Sequence, residues 1–189
     1  SWLYLNTGNE DSPYFEFHQD DFLQREMIDV GAGSCPVLAD YDGDGLDDLF
    51  IGNYGYYMDS YYDEWMILHT TQSGRIALFR NTVSSSLPAY SFITDDFANL
   101  SSKGIKGVVP TFGDLDGDGD LDMLTGTEYG RLCFYENLAG EGYPMEMEFI
   151  ECGFGGIEPG EYSTPQLFDL DRDGNLDLII GEKDGNLNY

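Results

Sequence analysis

Asp114-Leu115-Asp116-Gly117-Asp118-Gly119-Asp120-Leu121-Asp122 is one of three near-copies of an acidic phrase, Asp-x-Asp-x-Asp-Gly-x-x-Asp, in a chain of 189 residues. The others are Asp40-Tyr41-Asp42-Gly43-Asp44-Gly45-Leu46-Asp47-Asp48 and Asp169-Leu170-Asp171-Arg172-Asp173-Gly174-Asn175-Leu176-Asp177. Carboxylates crowded into one tight loop repel each other by roughly 3 kcal/mol per pair at ~5 Å and an effective dielectric of about 20. Such a loop needs a cation, and an oxygen-only ligand set suits calcium. Side chains at loop positions 1, 3 and 5 are expected to point inward, with glycine at position 6 making the sharp reversal and oxygens at positions 7 and 9 completing the shell. The expected ligands are therefore Asp40, Asp42, Asp44, Leu46 and Asp48; Asp114, Asp116, Asp118, Asp120 and Asp122; and Asp169, Asp171, Asp173, Asn175 and Asp177. Leu46 has only its main-chain carbonyl to offer.

The phrase begins like an EF-hand loop and ends unlike one. Position 12, where an EF-hand carries a bidentate Glu before a helix, is Ile51, Thr125 or Ile180. Each lies in a short β-prone run that ends in glycine: Leu49-Phe50-Ile51-Gly52, Met123-Leu124-Thr125-Gly126 and Leu178-Ile179-Ile180-Gly181. The loops are therefore expected to join two strands. Each is preceded by Pro and an apolar stretch, beginning at Pro36, Pro110 and Pro165. A third β-like run ending in Asn follows in two cases, Arg75 to Asn81 and Arg131 to Asn137, and Trp2-Leu3-Tyr4-Leu5-Asn6 is the same run without its beginning. Fourth strands are expected at Tyr14 to Phe17, Tyr90 to Ile93 and Met147 to Ile150.

The intervals establish a repeat. From the run-ending Asn to the next Pro they are 30 (6 to 36), 29 (81 to 110) and 28 (137 to 165). From Pro to Asn they are 27 in one unit and 45 in the other, so one unit carries an insertion, placed at residues 54–72. Four short strands per unit without helical periodicity predict an all-β fold, a β-propeller segment of four-stranded antiparallel blades. Residues 1–20 would be the second half of a blade, 36–95 and 110–152 two complete blades, and 165–189 the first half of another. Too few blades are present to close a ring, so the chain is expected to be a segment of a longer protein that supplies the remaining blades.

Pro-apolar-Asp-x-Asp-x-Asp-Gly-x-x-Asp-apolar-Gly with a following Asn-ended strand resembles the FG-GAP/VCBS repeats of integrin-α-like β-propellers. The resemblance is specific for fold and calcium; a secreted or cell-surface setting is expected because three such loops fill readily at the high calcium levels outside cells. The resemblance leaves function wider, because such propellers serve adhesion, lectins, sugar-active enzymes and plain scaffolds.

Thirty-six acidic against eight basic residues give a formal charge of −28. Three calcium ions would leave it strongly negative, which disfavours nucleic acid and anionic membrane surfaces as partners. No apolar run is long enough for membrane insertion. Cys35, Cys133 and Cys152 are too few for a disulfide framework. Cys133 and Cys152 lie near neighbouring strands of one blade, yet simple hairpin register does not set them opposite each other, which counts against a bond. Asn99-Leu100-Ser101 fits a glycosylation sequon, relevant only in a eukaryotic secretory host.

In a blade of this kind the acidic loops lie on one face of the disc. The insertion lies on the other, beside the interblade loops near Asp20 to Ser34, Asp95 to Gly107 and Cys152 to Ser163. Within the insertion Tyr56, Tyr57, Tyr61, Tyr62 and Trp65 sit among acids. Aromatic faces flanked by carboxylates suit a protein hot spot or a sugar ring; packing on the neighbouring blade, merely stabilising a long hairpin, is the plainer reading. No catalytic constellation is found. His18 and His69 read as surface residues, Ser34-Cys35 does not form a nucleophile elbow, and almost all acid pairs belong to the repeated phrase. The chain is therefore expected to be a binding or adhesion module for protein partners and not an enzyme. A lectin-like propeller, or the non-catalytic scaffold of a polysaccharide-active enzyme, is the alternative.

Overall fold

The computed structural model describes residues 3–9, 11–19, 30–82, 89–140 and 142–189. Trp2 and most of the interblade segment expected from Asp20 onward lie outside them. The described chain is built from fourteen strands: β1 (Leu3–Asn6), β2 (Phe15–Gln19), β3 (Ala32–Ala39), β4 (Asp48–Tyr62), β5 (Leu68–Ser73), β6 (Ile76–Asn81), β7 (Tyr90–Thr94), β8 (Val109–Gly113), β9 (Asp122–Gly126), β10 (Cys133–Asn137), β11 (Met147–Cys152), β12 (Thr164–Phe168), β13 (Asp177–Gly181) and β14 (Leu187–Asn188). Two short 3₁₀ segments, Phe97–Lys103 and Phe154–Gly156, sit between sheets.

All strand pairings are antiparallel and follow chain order, as short turns between sequential strands dictate, except that β4 pairs both β5 and β6. β3-β4-β6-β7 and β8-β9-β10-β11 are complete four-stranded sheets, while β1-β2 and β12-β13-β14 are partial ones. The fold is a β-propeller segment of two complete and two partial blades. The first strands neighbour each other from sheet to sheet, β3 beside β8 and β8 beside β12.

Between the two complete sheets lies a continuous core of Phe50, Ile76, Leu78, Val108, Met123 and Tyr135, all fully buried. Each such side chain contributes about 1.5–3 kcal/mol by leaving water. The recurring Gly and Pro of the sequence phrase meet at the seams. A methyl group on Gly52 would collide with the Val108 carbonyl oxygen and with Pro110, and one on Gly126 with the Ser163 carbonyl and Pro165. Those glycines let one sheet's second strand touch the next sheet's first. The seams are then tied by main-chain hydrogen bonds at matching places: Val108 N to Asn53 O at 2.8 Å, and Ser163 N to Thr127 O at 3.2 Å.

The insertion is a long hairpin: β4 runs on for fifteen residues and pairs through its far half with β5, forming a two-stranded arm continuous with the blade. The disulfide that simple hairpin register counted against is formed. Cys133 and Cys152 are direct cross-strand partners joined by a disulfide, because a bulge between Phe134 and Tyr135 shifts the β10/β11 register by one residue. Bulges add one residue to one strand, and simple counting from the hairpin turn omits it. Cys35 is a free thiol, and burial raises its pKa. No helix among the described residues is long and apolar enough to cross a membrane.

Candidate functional site

Each acidic phrase folds as the turn between a sheet's first and second strands. Its opening Asp receives the turn's own amides: Gly43 N and Gly45 N donate to Asp40 at 2.8 Å each, Gly117 N and Gly119 N to Asp114 at 2.7 and 3.1 Å, and Asp173 N and Gly174 N to Asp169 at 3.1 and 3.0 Å. These bonds require left-handed backbone at position 4 as well as position 6. Gly43 and Gly117 supply it with φ of 72° and 86°, whereas the third loop holds Arg172 there at 64°.

The closing Asp fastens the turn to the third strand. Asp48, fully buried, accepts from Tyr41 N at 2.7 Å and from Asn81 N at 2.6 Å. Asp122 does the same with Leu115 N at 2.9 Å and Asn137 N at 3.0 Å, and Asp177 accepts from Leu170 N at 2.8 Å. Desolvation, opposed by those amides, holds Asp48 and Asp122 above the ordinary carboxylate pKa. The run-ending Asn is a second fastener, which the sequence marked without a role. Asn137 Oδ1 accepts from Ala139 N and Glu146 N, closing the β10–β11 turn, and Asn6 Oδ1 does the same with Gly8 N and Tyr14 N.

Positions 1, 3 and 9 converge in every copy. Asp40, Asp42 and Asp48, then Asp114, Asp116 and Asp122, then Asp169, Asp171 and Asp177 each present carboxylate oxygens lying within 4.8 Å of one another. Position 5 falls outside these groups. Asp44, Asp118 and Asp173 instead accept from the amide two residues on, at 3.0, 3.1 and 2.8 Å. Position 7 differs among copies. Leu46 is apolar, Asn175 donates to Asp173, and Asp120 is buried with Oδ2 accepting from Gly140 N at 3.0 Å. Desolvation, then the neighbouring Asp118, raises the pKa of Asp120. Asp42 Oδ1 and Asp120 Oδ1 are buried without a hydrogen bond. Oxygen-only groups with uncompensated buried acceptors suit a hard divalent cation and no softer metal.

The five aromatics of the insertion are dispersed along the arm. Tyr56 is half-buried under the Arg75 guanidinium, 4.8 Å from its ring centre. Tyr57, Tyr61, Tyr62 and Trp65 are 57–75% exposed. Tyr61 stacks on His69 at 5.2 Å, and Tyr57 Oη donates to Ser60. Asp63, which the sequence reading passed over, organises the tip. It accepts from Trp65 N and Ile67 N at 2.9 Å each and lies 2.8 Å from His69 Nε2. The His69 contact and those amides hold the Asp63 carboxyl below its ordinary pKa. An acidic residue just before an exposed aromatic turn was the available signal. The arm leaves the sheet at the end of β4 away from Asp48, so it and the acidic loops occupy opposite edges of the blade.

Comparison with known proteins agrees with this architecture. Residues 33–79 match the FG-GAP repeat and residues 114–180 the FG-GAP-like repeat, which together take in more than half the chain. Integrin alpha-3 of Mus musculus is 26% identical over 171 residues, a match covering 84% of this chain and 15% of that protein. Integrin alpha-3 of Cricetulus griseus is 26% identical over 172 residues, covering 85% and 15%. The chain thus spans about 15% of the length of these relatives. With the acidic turns, the Gly–Pro seams and the Asn-closed third strands all in place, the chain belongs to the FG-GAP repeat family.

Proposed function

We propose that this chain is a calcium-stabilised propeller segment of a secreted or cell-surface protein, non-catalytic, whose projecting arm binds a protein partner. The carrying observation is the division of the first complete blade: charge-dense turns at one edge and an exposed aromatic hairpin at the other. Calcium would be held by Asp40, Asp42 and Asp48, by Asp114, Asp116 and Asp122, and by Asp169, Asp171 and Asp177. Asp44, Asp118 and Asp173 and the position-7 oxygens of Leu46, Asp120 and Asn175 complete the proposed sets. The ion supplies positive charge where the fold has gathered negative. The residues supply fixed oxygens, because amide donors orient the opening and closing carboxylates.

Two observations support the extracellular setting. The Cys133–Cys152 disulfide is of a kind that persists in oxidising compartments, and loops of this type fill readily at extracellular calcium. The arm suits protein recognition because Tyr and Trp present large areas at low entropic cost and dominate interface hot spots. Relatives named integrin alpha-3 favour the same reading by analogy.

The test pairs two measurements. Cell-surface proximity labelling from the calcium-loaded chain should identify a partner whose purified form binds wild type and loses binding to Trp65→Ala and Tyr62→Ala. Retained binding in both variants removes the arm from the reading. A glycan array that lights up instead, and dims with the same substitutions, replaces the protein partner with carbohydrate.

A further inference from the structure

The first and second acidic turns differ in what reaches into them from the third strand. Arg80, on β6, places Nη2 2.5 Å from Asp42 Oδ2 and 3.3 Å from Asp44 Oδ2. Asp42 is the middle member of the Asp40–Asp42–Asp48 group, and its side chain is 9% exposed. The guanidinium satisfies only one side of that carboxylate. Asp42 Oδ1 and Arg80 Nε are both buried with no hydrogen bond. The sheet register identifies the counterpart in the next blade. Phe79 pairs with Leu49 and Tyr135 with Met123, each partner lying one residue after the closing Asp, so Arg80 corresponds to Glu136. At the place where β6 carries the cation Arg80, β10 carries the anion Glu136. Position 7 accentuates the contrast, since the first turn has Leu46 where the second has the buried carboxylate of Asp120.

Resting on the calcium reading above, we propose that Arg80 is a built-in counter-ion of the first turn. It partly replaces the metal, lowers that turn's affinity for divalent cations below that of the Asp114–Asp122 turn, and lets the first blade stand without an ion. The competition is direct: an entering ion needs the Asp42 carboxylate, one oxygen of which the guanidinium already holds, and it must share the turn with a fixed positive charge. Among the described residues no cation is paired with the second turn, which therefore depends on the ion more heavily.

Calcium titration by calorimetry, with thermal melting in chelator, tests this on the whole chain. Arg80→Gln removes the charge and should tighten one calcium site, the weaker of the first two, about tenfold, while lowering the melting temperature in chelator. Arg80→Lys keeps the charge and should keep the weak affinity. Glu136→Arg should weaken a different, tighter site. A residue that only packs would lower melting with and without calcium and leave affinity unchanged, and that outcome overturns the inference while the calcium reading survives. If neither wild type nor Arg80→Gln takes up calcium, both fall. Uptake by Arg80→Gln at a site that wild type leaves unfilled supports the inference in its strongest form.

Discussion

At one end of β4, Asp48 is fully buried and takes main-chain hydrogen bonds from two other segments, in a turn whose geometry recurs in two further sheets. At the other end Tyr57, Tyr61, Tyr62 and Trp65 stand in solvent on a hairpin found in one blade alone among the described residues. The same strand therefore serves two purposes. Its first half is fixed by bonds reaching across the sheet, so a change there propagates to the core that Phe50 and Leu78 share with the next blade. Its second half is held by one partner strand and an Asp63-centred tip, so a change there stays local. On the proposed function stability is concentrated at the acidic edge and recognition at the aromatic one, and variants at each edge should separate the two.

The largest effect expected is that of removing the metal. Each filled site contributes about 2.7 kcal/mol when free calcium stands at 100 times the dissociation constant, and a chain of this size loses roughly 2–4 °C of melting temperature per kcal/mol. Calorimetric melting with and without chelator should therefore show a loss of about 15 °C or more. Deleting residues 57–67 should leave that loss intact. If arm deletion abolished the chelator response, the division between edges would be wrong.

Next is the closing Asp. Asp122→Ala strands the amides of Leu115 and Asn137 in a buried place and should cost about 2–4 kcal/mol in denaturant unfolding. Measurement in chelator separates this structural cost from lost metal affinity. Asp122→Asn keeps one acceptor and should cost less. The same carboxylates give a pH dependence with a definite sign. Burial raises Asp48, Asp120 and Asp122 above their unfolded values, so their contribution to stability is present below the unfolded pKa and lost as pH rises through the folded one. In chelator, melting temperature should climb as pH falls from 7 into the upper carboxylate range. In saturating calcium the slope should reverse, since protons then compete with the ion. A chelated protein that loses stability over that interval would contradict the assignment.

At the aromatic edge, Trp65→Ala should shift stability by no more than about 0.5 kcal/mol and weaken partner binding by about 2 kcal/mol. A melting shift as large as that of Asp122→Ala would mean that Trp65 is packed, not displayed. Asp63→Ala should leave the melting temperature in place, speed hydrogen exchange at Trp65 and Ile67, and weaken binding through a disordered tip.

The two edges were unequally legible. The acidic turns could be read from spacing because their chemistry is local: nine consecutive residues carry both the carboxylates and the reversal. Blade order followed from the same repeats. What escaped was non-local or conformational. The role of Asn137 depends on amides of the β10–β11 turn, including one nine residues away, and the Cys133–Cys152 bond depends on a bulge that leaves no residue signature. The arm read as an insertion because length gives its size but not its pairing, and β5 with its run of Thr and Gln lacks an apolar alternation to announce a strand. Arg80 looked like one of eight basic residues until register set it against Glu136.

Position 4 of the turn supplies the finest test of how far the acidic edge is governed by backbone geometry. Gly43 and Gly117 occupy left-handed φ without a Cβ, but Arg172 holds φ of 64° with one. A left-handed non-glycine residue costs roughly 1–2 kcal/mol, and glycine gives back part of that through the freedom it adds to the unfolded chain. Arg172→Gly should therefore stabilise by less than about 1 kcal/mol, seen as a small rise in denaturant midpoint at constant slope. Loss of the Arg172 charge also makes the Asp169–Asp177 turn more negative, so calcium should bind there somewhat more tightly while the chelated gain remains. A destabilised Arg172→Gly in chelator would mean that the arginine side chain, and not the turn's backbone, holds the third loop in place.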